Sequence, residues 1–257
     1  MDSSSDRYYK LNRMFLSAIG LWPHRYIVLR QLQGILSSFI LISVTSPQLI
    51  KLITITKYDV DVVLTILSSA LPFMLFTVKY ITFYFVTEKA KALMRQIESD
   101  WNMLRNNHEL EIIHRYAKVA KLSTTSLATL IYVCIATVIV MQYIPIFLDV
   151  VAPSNKSRQP ELLFSVEYFV DQRKYFHAIQ FHLDVGLIVA ATTILSTESF
   201  CLGLAIHAFG MFKIASYRME HIIDENASNT FTEKHHDFHN NVVIAVNGHR
   251  KAIESVS

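Results

Sequence analysis

Charge is distributed along this chain in blocks, and four long stretches are almost free of it. Gln31–Ile50 has none in 20 residues, although Gln33, Ser37, Ser38, Ser43 and Gln48 make it polar for a lipid-facing helix and Pro47 should kink its far end. Val62–Val86 carries only Lys79, Leu122–Leu148 is uncharged over 27 residues, and Val185–Phe212 holds a single charge, Glu198, in 28. A helix rises about 1.5 Å per residue, so about 20 apolar residues cross a hydrocarbon core of about 30 Å. The pattern predicts four membrane-spanning helices, at about 31–50, 62–86, 122–148 and 185–212.

The polar stretches fit between them as loops and arms. Met1–Arg30 is polar and mildly basic and has no apolar core with a small-residue cleavage site, so the first apolar segment does the targeting. The short link Lys51–Asp61 favours an antiparallel pair of helices. Within Glu88–Lys121, Leu93, Ile97, Trp101, Leu104, Ile112, Tyr116 and Val119 recur at three- and four-residue steps. That spacing predicts a second helix continuing past the membrane, a loop near Asn106–His108, and a third helix rising again. Val151–Lys174 is a polar loop with Pro153 and Pro160, and Val242–Ile253 is apolar enough to begin a further helix.

Composition agrees with a single membrane domain. Apolar residues make up 52% and charged residues 18% of 257, and the mean hydropathy is +0.31. A net charge of +3 without a basic patch interleaved with aromatics excludes nucleic acid as a partner and leaves the lipid bilayer. The two cysteines, Cys134 and Cys201, both fall in apolar stretches, which excludes a secreted disulfide framework and reads as packing.

Lys and Arg then orient the bundle. Seventeen of the 24 fall before the first span, between the second and third, or after the fourth, and six fall on the other side. By the positive-inside rule the N-terminus is cytoplasmic and the 151–174 loop is outside. Asn155-Lys156-Ser157 in that loop is a glycosylation sequon.

Several local patterns carry a resemblance. His207-x-x-Gly210-x-Phe212, followed by Ile214, Tyr217, Arg218 and Glu220, resembles the fourth-helix exit of insect odorant receptors. Leu16-Ser17-Ala18-Ile19-Gly20-Leu21-Trp22-Pro23, the Pro72–Lys79 segment and the closing His249-Arg250-Lys251-Ala252-Ile253-Glu254 are similar to the same family, in its hymenopteran type. The resemblance runs over essentially the whole chain. It implies an all-α polytopic bundle of seven helices, of which four are present. It also implies a plasma-membrane subunit of a ligand-gated cation channel, partnered by a shared co-receptor and expected in the sensory neuron dendrite. The sequence ends where the family's fifth helix would begin, so the pore-lining seventh helix is absent and conduction is not expected from these residues alone.

The family's ligands are small volatile molecules held in the outer half of the membrane, between the second, third, fourth and sixth helices. On this topology the matching positions are Ser69, Phe73 and Phe76 on the second span, Met141, Tyr143 and Phe147 on the third, and Phe181, Val185 and Ile188 on the fourth. Phe73 and Tyr143 are the preferred pair. Such positions suit volatile ligands, because apolar burial supplies affinity while one or two polar groups choose orientation. The same side chains also serve plain helix packing. Lys79 can snorkel to the interface or pair with a buried group such as Glu198, which should itself face the bundle or be protonated. His207 reads as a packing or interfacial group.

Three rivals stand beside this reading. His177-x-x-x-x-His182 and His235-His236-x-x-His239 resemble the histidine boxes of di-iron membrane enzymes. The topology sets the two groups at opposite ends of the fourth span, about 30 Å apart, too far to share a metal. A gustatory-type receptor and a non-receptor four-helix accessory protein remain as alternatives. No cofactor or metal is called for, and no phosphate loop or nucleophile elbow is present.

Overall fold

A computed structural model describes residues 6–22, 26–55, 59–104, 106–151 and 162–228. The sequon at Asn155, the histidines at 235, 236 and 239 and the closing segment 249–254 lie outside the described residues. Among those described, every regular element is a helix: α1 (Asp6–Ala18), α2 (Ile27–Ile53), α3 (Val60–Phe85), α4 (Thr87–Met103), α5 (Asn107–Val151) and α6 (Phe176–Ser228). Of these, α2, α3, α5 and α6 are long and apolar enough to cross a membrane. At about 1.5 Å per residue, α5 and α6 reach about 68 Å and about 80 Å, more than twice a hydrocarbon core.

The predicted spans lie within these helices, but two boundaries differ. The second helix does not simply run on. It closes at Val86, whose N–H donates to the Thr82 carbonyl, and α4 starts afresh at Thr87. The turn before α5 is short and set by Asn106, whose side chain accepts from the His108 N–H, so the rising arm and the third span form one helix.

Contacts divide the described residues into two units, one of residues 14–87 and 127–197, the other of 6–13, 88–126 and 198–228. The first unit begins with the end of α1, an element that the polar N-terminal stretch does not announce. Gly20 sits in the left-handed region at φ 77° while the Leu21 N–H reaches the Leu16 carbonyl and the Gly20 N–H that of Ser17. This is the six-to-one and five-to-two hydrogen-bond pattern that closes a helix on glycine. It gives a physical reason for the Leu16–Trp22 pattern in the sequence. Leu16 and Leu21 are fully buried, and the Ile19 carbonyl accepts from the Tyr80 and Ser37 hydroxyls.

α2 and α3 run antiparallel, joined through Asp59, whose carboxylate accepts from the Asp61 N–H. Thr45 bonds Thr77, and Gly34 lies against the Tyr84 ring, where a Cβ would come within 2.8 Å of a ring carbon. Gly186 of α6 makes the closest approach in this unit, since a Cβ there would lie 2.4 Å from Val44 Cγ2 on α2.

The second unit packs Ile97 and Trp101 of α4, with Leu104 just past its end, against Ile113 and Ala117 of α5 and Ile214 of α6. The first three positions are those the spacing picked out. On α5 the buried face is turned by about one residue: Ile113, Ala117 and Ala120 are buried and Val119 is exposed. Two alanines carry little hydropathy, so the larger side chains beside them misplace the face.

The cysteines are a correction. Cys134 and Cys201 are exposed on helix surfaces and pack no core of the described chain. Glu198 is also exposed. Cys201 and Leu202, also exposed, follow it at three- and four-residue steps, so the three share one strip of α6.

Candidate functional site

All nine predicted ligand positions fall in the first unit, and their surroundings differ. On α3, Phe73 is 3% exposed and edges onto Phe76 and onto Phe164 of the loop before α6, with ring centroids 6.3 and 5.6 Å apart. Ser69 is half-buried, and its hydroxyl donates to the Ile66 carbonyl of its own helix. On α5, Met141 and Phe147 are exposed and Tyr143 is 37% exposed. On α6, Phe181 and Ile188 are exposed and Val185 is half-buried. Phe73 and Phe76 are therefore brought together, while Tyr143 belongs to a different, polar group.

That group joins α5 to α6. The Tyr143 hydroxyl donates to Asp184 Oδ2 at 3.1 Å, and Gln180 Nε2 donates to Asp184 Oδ1 at 3.0 Å and also to Gln142 Oε1. Gln180 and Asp184 are one turn apart, so they share a face of α6, as the neighbours Gln142 and Tyr143 share an end of α5. Asp184 is 7% exposed and Gln180 2%. Tyr143 lies eight residues before the end of α5 and Asp184 eight after the start of α6, so both sit about 12 Å inside their helices.

A second polar group fixes the loop that precedes α6. Ser43 donates to the Ile40 carbonyl, so its oxygen is left to accept from His182 Nε2 at 2.9 Å. His182 Nδ1 then accepts from the Tyr168 hydroxyl at 2.7 Å, and the ring is satisfied as the neutral tautomer. Burial pushes the Tyr168 phenol up to about 12. Nearby, Lys51 pairs with Glu167 at 3.2 Å, and the Glu167 N–H donates to the carbonyl of Pro47.

Sequence reasoning missed Asp184, Gln180, Gln142, Ser43 and Tyr168, and it met His182 only as a possible metal ligand. The available signal was a pair of polar residues four apart at the mouth of an apolar helix. It went unread because Asp184 stands one residue outside the uncharged run that begins at Val185.

The second unit joins several of its polar side chains across helices. Arg218 grips Glu109 with Nε–Oε1 at 2.6 Å and Nη2–Oε2 at 2.9 Å, and His207 Nε2 meets Asp100 Oδ2 at 3.2 Å. Tyr8 stacks on Trp101 and bonds His114 Nδ1 at 3.2 Å. His207 and Arg218 are the residues of the fourth-helix exit pattern, and both have partners on other helices.

A sequence model of the 7tm Odorant receptor family matches residues 59–254. The chain belongs to that odorant receptor family. It is a family of receptors, not of enzymes, which removes the di-iron reading. Among the described residues, no group of three or more His, Cys, Asp or Glu side chains is placed to hold a metal. The fold is similar to that of the insect olfactory receptor OR5 from Machilis hrabei, solved in complex with eugenol. The TM-score is 0.68 at 16% identity, over 98% of this chain and 62% of that one. This odorant receptor chain thus spans 62% of the length of the receptor it resembles. No curated protein matches it. Family, helix content and four candidate spans together make it a multi-pass membrane protein.

Proposed function

We propose that this odorant receptor chain binds small volatile ligands among α3, α5 and α6 and, within its whole subunit, gates a cation channel together with a co-receptor. The observation that carries the reading is the Tyr143–Asp184 pair, a polar anchor beside the exposed apolar side chains Phe147, Phe181 and Ile188. Apolar burial at about 25 cal/mol per Å² supplies affinity for such ligands, and a few hydrogen bonds choose orientation. The ligand-bound state of the similar Machilis hrabei receptor supports the reading.

The N-terminus is cytoplasmic in this reading, because the six outside cations are far outnumbered by those on the other side. Asn155 is then glycosylated outside, and the membrane is the plasma membrane of a sensory dendrite. Glycosidase should collapse a mobility shift that Asn155→Gln also removes; a shift that survives Asn155→Gln would count against this orientation.

Binding is tested with the 257-residue chain in lipid nanodiscs against a panel of volatile alcohols, esters and aromatics, read as ligand-induced thermal stabilisation. At least one class should bind at micromolar concentration, and Tyr143→Phe should weaken alcohols more than esters. A flat response to every member would sink the reading. Gating is tested by expressing the native open reading frame with the co-receptor and recording odour-evoked current.

A further inference from the structure

The polar group at the α5–α6 seam is short of donors. Asp184 Oδ1 accepts one hydrogen bond from Gln180 and Oδ2 one from Tyr143. A carboxylate offers about four acceptor sites, so about half remain open. Gln180 Oε1 is buried and meets no donor among the described residues. The Gln142 amide, the remaining donor here, is turned to the Val138 carbonyl. Asp184 has no ion-pair partner among the described residues, although it is 7% exposed within a helix apolar enough to span a membrane. An ionised carboxylate in that setting is costly unless a cation reaches it, and an unpaired buried amide oxygen adds to the cost.

We infer that Asp184 and Gln180 form the head-group site of the proposed odorant pocket and that it selects ligands carrying a hydrogen-bond donor, primary alkylamines above all. The inference rests on the odorant-binding reading. An alkylammonium brings three N–H donors and the missing positive charge, and aliphatic amines, like the Lys side chain with its reference value of about 10.4, are protonated at neutral pH. Its donors match the open sites of Asp184 and the unpartnered Gln180 Oε1. An alcohol supplies one donor and no charge. An ether supplies only another acceptor and leaves both oxygens unpaired.

The tail has a place as well. Phe147 stands four residues beyond Tyr143, and Phe181 and Ile188 stand three before and four beyond Asp184, so all three flank the head-group site on its own helix faces. All three are exposed apolar side chains. Tyr143, which bonds Asp184, is itself 37% exposed.

The test uses the full 257-residue chain in nanodiscs of neutral lipid, with hexylamine, hexan-1-ol and methyl pentyl ether at pH 7 as probes of equal length. The expected order of affinity is amine, alcohol, ether, with about tenfold or more between the first and last. Asp184→Asn, nearly isosteric and uncharged, should bring amine and ether within about threefold of each other. Should that variant elute as aggregate, Gln180→Met is read instead and should cut the amine preference about threefold. Equal affinity for the three probes in the native chain would overturn the inference and leave the odorant reading standing. An amine preference that survives Asp184→Asn unchanged would overturn it as well. If none of the three binds, the inference falls, and the panel of alcohols, esters and aromatics decides the odorant reading separately.

Discussion

Asp100 and Glu109 in the second unit and Asp184 in the first are the acids buried among the described residues. The first two are compensated: Asp100 meets the His207 ring, and Glu109 takes a two-pronged bond from Arg218. Asp184 receives only a phenol and an amide, both neutral. Glu109 and Arg218 are paired charges that satisfy each other's hydrogen bonds, an arrangement that belongs to scaffolding, and removing one partner leaves the other stranded. An acid supplied with neutral donors alone is poised for something else to complete it. The proposed ligand site lies in the unit whose buried acid has no charged partner, and the contrast can be probed with matched substitutions.

The largest effect should come from breaking a closed pair. Asp100→Ala leaves both nitrogens of a buried imidazole without a partner and should cost about 3 kcal/mol of stability, read by denaturant unfolding in detergent. The combined Asp100→Ala and His207→Leu change should cost less than the sum of the two singles. Strict additivity would mean that the pair is not coupled.

Next is a pair of glycines that compares how tightly the two units pack. A Cβ at Gly186 would lie 2.4 Å from Val44 Cγ2, and Val44 is fully buried and stiff at χ1. Gly186→Ala should therefore cost about 2 kcal/mol. A Cβ at Gly210 would meet Ile113 Cδ1 at 2.9 Å, the free end of a longer side chain, so Gly210→Ala should cost under about 1 kcal/mol. A reversed order of melting temperatures would contradict the packing described.

Asp184→Asn is the counterpart of Asp100→Ala and should change stability by about 1 kcal/mol or less in either direction. The amide keeps an acceptor for Tyr143 and offers an N–H to Gln180 Oε1. A loss as large as that of Asp100→Ala would erase the contrast between the units.

The smallest effect concerns pH. Tyr168 has its folded value raised from 10.0 to about 12 by burial, so the neutral phenol is favoured in the fold. Its contribution is present below pH 10 and is lost as pH rises through about 12. Since the ring is half-exposed, the amount is under about 1 kcal/mol. The stability difference between the native chain and Tyr168→Phe should narrow over that interval; a constant difference from pH 9 to pH 12 would exclude the phenol as its source.

The four apolar helices were legible because lipid requires continuous runs of uncharged residues, and a run is a property of neighbouring positions. The helix α1 was not, because 13 mostly polar residues carry no such run, and its closure on Gly20 depends on hydroxyls from α2 and α3. At the candidate site, Phe73 and Tyr143 could be named from composition and depth. Their difference in setting, one ring packed under Phe164 and the other resting on Asp184, could not.

The sequence by itself determined how many helices are long and apolar enough to cross a membrane, an uncharged stretch belonging to each of them, and which family the chain resembles. All of these follow from one-dimensional pattern. Only the tertiary structure decided which acids are paired. Asp100 finds His207 across 107 residues of chain, Glu109 finds Arg218 across 109, and Asp184 finds Tyr143 across 41. Periodicity constrains which face a side chain occupies, but a partner is chosen by distance in three dimensions, after the helices have packed.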